Sequence, residues 1–290
     1  MDKETIIGID LGGTHVRCGV VMENPQGSIN NLLSISTQRI NPDGSVEEVL
    51  EQLYTIIHKS IKPSMKAIGI GVPGLVDTEE GIVYDVVNIP SWKRVPLREL
   101  IQERFQLPVH INNDANCFAL GEFYFGKAKG YDSMIGLTIG TGLGSGIIIN
   151  KKLYAGKNGG AGEFGMIDYL DKYYEYYASG QFFKNVYDTD GELVFKRAGE
   201  GDNTAIKMYE EMGAHLGNAI KTILYALDVE LIILGGSVRH AYPYFSKTLR
   251  HSLNSFVFQN AVKNLRIKVS ELENSGILGA AALYYDQDIQ

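Results

Sequence analysis

The stretch Gly140-Thr141-Gly142-Leu143-Gly144-Ser145-Gly146 decides how this chain is read. An apolar run from Met134 to Ile139 enters it, Ile147-Ile148-Ile149 leaves it, and a turn follows at Asn150-Lys151. The pattern predicts strand, glycine turn, return strand. Glycines at alternate positions do not match the dinucleotide fingerprint, which needs GxGxxG opening a helix. The same device stands about 130 residues earlier: Thr5 to Asp10 reads as a buried strand, Leu11-Gly12-Gly13-Thr14 as a glycine turn, and Val16 to Met22 as the return strand. Either loop alone is equally a plain hairpin whose glycines supply positive φ. Two of them, one in each half, can hold the two ends of a triphosphate. Small residues let backbone N–H groups approach an anion, and Thr14 adds a hydroxyl.

Working outward through the first half, Asn24-Pro25-Gln26-Gly27 is a turn signal and residues 32–37 a third strand, which makes an antiparallel meander. Residues 45–60 carry helical spacing with Asp43 or Ser45 as the cap. A strand over 67–72 stops at Pro73-Gly74. The loop Val87-Asn88-Ile89-Pro90-Ser91-Trp92 holds the chain's one tryptophan, which either walls a sugar beside Asn88 or anchors a long loop. A helix over 96–105 and a strand over 107–111 lead into Asn112-Asn113-Asp114-Ala115-Asn116. This polar cluster sits where a strand ends and a helix (113–125) begins, so Asn and Asp there read first as N-caps. Gly121 to Ala128 comes within one residue of a P-loop, but Ala128 lacks the magnesium-binding hydroxyl and no strand precedes Gly121. Gly126 is therefore read as the helix end.

The second half continues with a helix over 202–227, a strand over 230–234 ending in Gly235-Gly236-Ser237, a helix over 242–256, a short strand at 267–269 and a final helix over 276–285. Such alternation predicts an α/β fold. A chain of 290 residues exceeds the usual single-domain size, so two domains or lobes are expected. A hydrophobic content of 44% and a charged content of 21% are those of a globular protein. The net charge of −7, without a basic block, argues against nucleic acid or an anionic membrane as partner. Cys18 and Cys117 lie in apolar patterns and read as buried free thiols, which fits a reducing cytoplasm. The charged start (Asp2, Lys3, Glu4) has no signal-peptide pattern, and no 18-residue apolar run occurs, so secretion and membrane spanning are not expected.

The order of motifs carries a resemblance. Asp10-Leu11-Gly12-Gly13-Thr14, Pro73-Gly74, Asn88 to Trp92, Asn112 to Asn116, Thr138 to Gly146, Gly162-Glu163-Phe164-Gly165, Ala178-Ser179-Gly180 and Leu234-Gly235-Gly236 together resemble the ROK family of sugar kinases and sugar-responsive repressors. The resemblance implies an α/β, two-lobed actin-like ATPase (ribonuclease H-like) fold, each lobe a mixed sheet with flanking helices. It implies a smaller lobe of residues 1–112 joined by the last helix (277–290), and a larger lobe of 113–276. It makes Asp114 the catalytic base, and places Asn113, Gly74, Asn88, Glu163 and Glu175 around a sugar. Asp10 would sit near Mg²⁺. Gly12, Gly13, Thr14, Thr141 and Gly142 would meet the phosphates of ATP, with Gly235 and Gly236 near its adenosine.

The implied activity is ATP-dependent phosphorylation of a hexose, glucose by default, at the 6-hydroxyl. N-acetylmannosamine, fructose or allose are alternative acceptors, and a non-catalytic sugar sensor is the rival class. With four residues before the first strand there is no helix-turn-helix there, which points away from the repressor branch. A homodimer is the implied assembly. The chain departs from the family at Met166, where a histidine is usual, and in lacking the cysteine-rich zinc loop. A thioether and carboxylates are poor zinc ligands, so no structural zinc is expected. The run of tyrosines between Tyr169 and Tyr177 would brace that loop by packing instead.

Overall fold

The computed structural model describes residues 5–22 and 32–287. The turn expected at 24–27, the charged residues 2–4 and positions 288–290 of the expected last helix lie outside the described residues. In chain order the main elements of the first half are β1 (Thr5–Leu11), β2 (His15–Met22), β3 (Leu32–Arg39), α1 (Val46–Ser60), β4 (Met65–Val72), α2 (Leu97–Phe105), β5 (Val109–Asn113) and α3 (Asp114–Phe125). Those of the second are β6 (Met134–Ile139), β7 (Leu143–Ile149), α4 (Asn203–Leu227), β8 (Leu231–Gly235), α5 (Tyr242–Leu253), β9 (Arg266–Val269) and α6 (Ser275–Gln287).

Two compact units emerge. One comprises Met1–Asp132, Gly146–Ala161 and Glu271–Gln290; the other comprises Ser133–Ser145 and Gly162–Ser270. The sheet of the first unit runs β3-β2-β1-β4-β5. β1, β2 and β3 form the antiparallel meander, while β4 and β5 extend it in parallel. β1 and β4 are nearly continuous apolar runs because both their faces are covered. On one face α1 buries Val49, Leu50, Leu53, Ile56 and Ile57 against Ile7, Ile9, Ile68 and Ile70. Of the two candidate caps it is Ser45 that serves, its hydroxyl accepting from the Glu48 N–H at 3.2 Å.

On the other face α6 lies almost on the backbone of the sheet. A Cβ on Gly69 would stand 1.8 Å from the Ala280 carbonyl oxygen, so the small residues of β4 and α6 are what permit the approach. Trp92 is fully buried in the core with Val86, Ile89 and Val95. It anchors the long loop and does not wall a sugar.

In the second unit β6, β8 and β9 are parallel, with Gly235 opposite Thr138. α4 starts at the Asp202 cap, whose carboxylate accepts from the Thr204 and Ala205 N–H groups, and α5 packs along it. The glycine turn after β6 is shorter than the sequence suggested. The return strand β7 begins at Leu143, not Ile147, so Gly144 and Gly146 are strand residues. Gly146 is small for a different reason than turning: a Cβ there would meet the Ala115 carbonyl oxygen of α3 at 2.6 Å. β7 then turns at Asn150 and Lys151, both at positive φ (50° and 67°), which is the twist a two-residue hairpin demands.

Candidate active site

In the first unit, the candidate residues gather at the carboxyl ends of three parallel strands. Strand register puts Asp10 of β1 opposite Gly71 of β4, and Gly71 opposite Asn112 of β5. Open α/β sheets bind ligands at that edge because the turns there present backbone groups and helix starts. The polar cluster 112–116 is locked by its own amides. The Asn112 Oδ1 accepts from the Asn113 N–H and the Asn116 Nδ2, both at 2.8 Å. Asn113 is the N-cap of α3: its Oδ1 accepts from the Ala115 N–H at 2.8 Å, while its Nδ2 donates to the Gly74 carbonyl at 3.0 Å. One N–H and one lone pair of Asn113 remain for a ligand. Gly74 sits at φ 125°, which a side chain would oppose. Asp114, the first residue of α3, is exposed and accepts from the Ala115 N–H at 2.9 Å.

Asp10 faces the same edge. Its carboxyl is pushed up by burial and pulled back by Arg17, whose Nη1 is 3.8 Å away. Arg17 in turn donates to the Asn274 side chain just before α6. Burial drives the Cys117 thiol well above its ordinary value, and Asp114 and Asp10 add to the shift, so both carboxylates lie within electrostatic range of one sulfur. The turn after β1 is closed by the Gly12 N–H to the His15 carbonyl at 2.9 Å, and the exposed Thr14 hydroxyl lies 3.0 Å from His15 Nδ1. Gly12 and Gly13 do not use positive φ. Gly13 is required by contact instead: a Cβ would fall 2.5 Å from the Cβ of exposed Asn88. The glycine turn and the loop carrying Asn88 therefore touch.

In the second unit the turn after β6 is closed by the Gly140 N–H to the Gly142 carbonyl at 3.0 Å. It is tied to the segment after Ala178 on both sides, by Ser179 Oγ donating to the Thr141 carbonyl (2.9 Å) and Gly180 N–H to the Gly140 carbonyl (2.7 Å). Gly142 faces Glu175, whose Oε2 accepts from the Leu143 N–H at 2.8 Å. Glu163 is exposed, and its carboxyl is pushed up first by desolvation and then by Glu175. Met166, half exposed, ends the single turn that Glu163 begins.

A cavity of about 890 Å³ opens beside Gly140 and Thr141, lined by Phe183, Tyr209, Ser237 and Val238 among others. Its size suits a nucleotide. Gly236, at φ 76°, turns the chain from β8 into that wall, while Gly235 ends the strand. The segment from Gln181 to Glu192, which forms much of the lining, carries no motif in the sequence. Its one local signal was Asp190 capping a short helix, Gly191–Gly199, by accepting from the Leu193 N–H. Among the described residues no group of three or more His, Cys, Asp or Glu is placed to hold a metal ion. Nor is any helix among them long and apolar enough to cross a membrane.

The sequence pattern of the ROK family matches residues 6–287. The chain belongs to the ROK family. Over an alignment of 314 positions it is 29% identical to a glucokinase of Thermotoga maritima, covering 98% of each chain. It is 30% identical to a xylose repressor of Caldicellulosiruptor bescii, covering 97% of this chain and 78% of that one. A ROK family glucokinase of Streptomyces griseus, solved with glucose and AMPPNP, superposes with a TM-score of 0.79 at 28% identity, covering 96% of this chain and 98% of that one. The α/β fold of this ROK protein is thus that of the actin-like ATPases, as its motif order implied.

Proposed function

We propose that this ROK protein is an ATP-dependent sugar kinase that phosphorylates a hexose, glucose by default, at its 6-hydroxyl, with Asp114 as catalytic base. What carries the reading is one alignment: an exposed carboxylate at the start of α3, beside Asn113 and Gly74, on the strand edge that also carries Asp10. The glucokinase relatives support the reaction class. Phosphoryl transfer asks mainly for alignment and charge stabilisation, because its transition state is loose. The attacking hydroxyl loses its proton late, so Asp114 has to orient it and receive the proton at the end. Asn113, Asn88, Glu163 and Glu175 are the proposed sugar ligands. The turn residues Gly12, Gly13, Thr14, Thr141 and Gly142 are the proposed phosphate contacts, the Gly12 N–H itself being held by the His15 carbonyl, and the cavity beside Thr141 is the proposed nucleoside site.

Magnesium would enter with the nucleotide, held mostly by phosphate oxygens and water, which this ion prefers to an all-protein cage. Asp10 offers the one carboxylate of the turn and fits that role. The ion would supply neutralisation of phosphate charge. A cytoplasmic setting and a homodimer belong to the same proposal by family resemblance. The test is ADP release over a panel of hexoses, including N-acetylmannosamine, fructose and allose. Asp114→Asn should cut kcat by at least ~10²-fold with sugar binding largely kept, the low end for losing a general base. Near-normal turnover in that variant sinks the assignment, and sugar binding without ADP release by the wild type means a sensor.

A further inference from the structure

The segment that carries Glu163 and Glu175 is built from pieces too short to hold themselves. A single turn (Phe164–Met166) leads to a two-residue hairpin pairing Asp168–Tyr169 with Lys172–Tyr173, and then to a five-residue helix, Tyr174–Ala178. A helix of that length has no stability of its own, since nucleation costs more than so few hydrogen bonds return. Something outside the segment must fix it.

Two tyrosines do so. The Tyr169 ring stacks on Tyr174 at 4.4 Å with 20° between the planes, joining hairpin to helix. The Tyr169 hydroxyl accepts from Asn218 Nδ2 at 2.8 Å and lies 3.1 Å from His215 Nδ1. Since Asn218 donates to it, the hydroxyl's own proton is available to Nδ1 of a neutral imidazole. The Tyr174 hydroxyl pairs with the Thr222 hydroxyl at 2.8 Å. His215, Asn218 and Thr222 follow one another at helical spacing along one face of α4. Tyr177 closes the group, its ring 5.1 Å from that of His215.

The consequence reaches Glu175, which directly follows Tyr174 and whose Oε2 holds the Leu143 N–H. A shift of the short helix would draw that carboxylate away from the glycine turn, which keeps its own closing bond from the Gly140 N–H to the Gly142 carbonyl.

We propose that Tyr169, fastened to α4 through its hydroxyl and to Tyr174 through its ring, is the positioning residue that sets Glu163 and Glu175 for the sugar. This rests on the sugar-kinase reading above. α4 is the anchor and the tyrosine pair is the link, so the sugar end of the site is held by aromatic packing and three neutral hydrogen-bonding side chains.

The experiment uses the full chain with Tyr169→Ala and Tyr169→Phe. Amide hydrogen exchange of the ligand-free protein comes first, followed by the Michaelis constants for sugar and for ATP. In Tyr169→Ala, exchange over residues 163–178 and at Leu143 should accelerate about tenfold or more, as local opening becomes easier. The KM for sugar should rise about tenfold or more while that for ATP stays within about twofold, because only the sugar ligands lose their alignment. Tyr169→Phe, which keeps the stack and loses the two polar contacts, should fall between wild type and alanine in both readouts. It carries the test should the alanine variant not fold. Unchanged exchange in 163–178 overturns the brace, whatever the kinetics. Faster exchange with an unchanged sugar KM, or an equal rise in both constants, overturns the positioning role. A wild type that releases no ADP with any hexose overturns the sugar-kinase reading and the sugar role of Tyr169 with it, and the exchange data separate that failure from a failed brace.

Discussion

Replacing Gly142 with alanine tests why the second glycine turn is made of glycine. The residue does not use positive φ, so its backbone would accept a side chain. The obstacle is the Glu175 carboxylate, whose Oε2 would stand 2.5 Å from the new Cβ, whereas ordinary contact begins at 3.4 Å. Relief requires the carboxylate to withdraw by about 0.9 Å, which stretches its 2.8 Å bond from the Leu143 N–H beyond hydrogen-bonding range. A hydrogen bond to a charged group is worth about 1.5–3 kcal/mol, and Gly142→Ala should lose that much stability. The same substitution in a Glu175→Ala background has no carboxylate to displace and should be near neutral. The double-mutant cycle in urea should therefore return a coupling of about 1.5–3 kcal/mol. Exchange at the Leu143 amide should rise in parallel in the single variant. Additive stabilities within about 0.5 kcal/mol would refute the argument, because residues that do not compete for space do not couple.

Further outcomes follow from burial. Trp92→Ala should cost about 3–5 kcal/mol, read by circular dichroism, as expected for emptying a fully buried aromatic site. Trp92→Phe should cost far less, since the buried indole N–H has no partner to lose among the described residues. His215 makes stability depend on pH. Burial holds its imidazole below the ordinary 6.5, against the opposing pull of Glu211, whose Oε1 is 3.9 Å from Nε2. Tyr169 and Tyr177 are the other titratable groups facing it, and Tyr177 is itself tied to Asp171. With the folded value depressed, the unfolded chain binds more protons below pH 6.5. The stability contribution of neutral His215 is thus full above 6.5 and declines as pH falls toward the folded value. Wild type should lose more stability than His215→Asn between neutral pH and about pH 5.5; a loss no greater than that of the variant contradicts the sign.

Much of this chain was legible without a structure because its signals are local. Ser45 and Asn113, both among the cap positions read from the sequence, cap the helices that follow them because a short polar side chain reaches the free N–H groups of the next turn. Strand, glycine turn and strand recur in both halves, and the order of motifs named the family. Other features depended on what the rest of the chain brought alongside. Gly13 and Gly142 looked like turn formers, yet neighbouring side chains, Asn88 and Glu175, are what exclude a Cβ there. Gly146 read as loop and is strand, its size set by α3 passing over it. Trp92 read equally as ligand wall or anchor, and only its burial decided. The tyrosine run showed aromatic character but not its partners, because His215 and Asn218 lie 46 and 49 positions from Tyr169, and Thr222 lies 48 from Tyr174. Sequence by itself determined most of the long elements and the family, since hydrogen-bond geometry and hydrophobic period act over a few residues. The tertiary structure alone decided which backbone passes close to which, and so which small residues are small for space and which aromatics are fastened to α4.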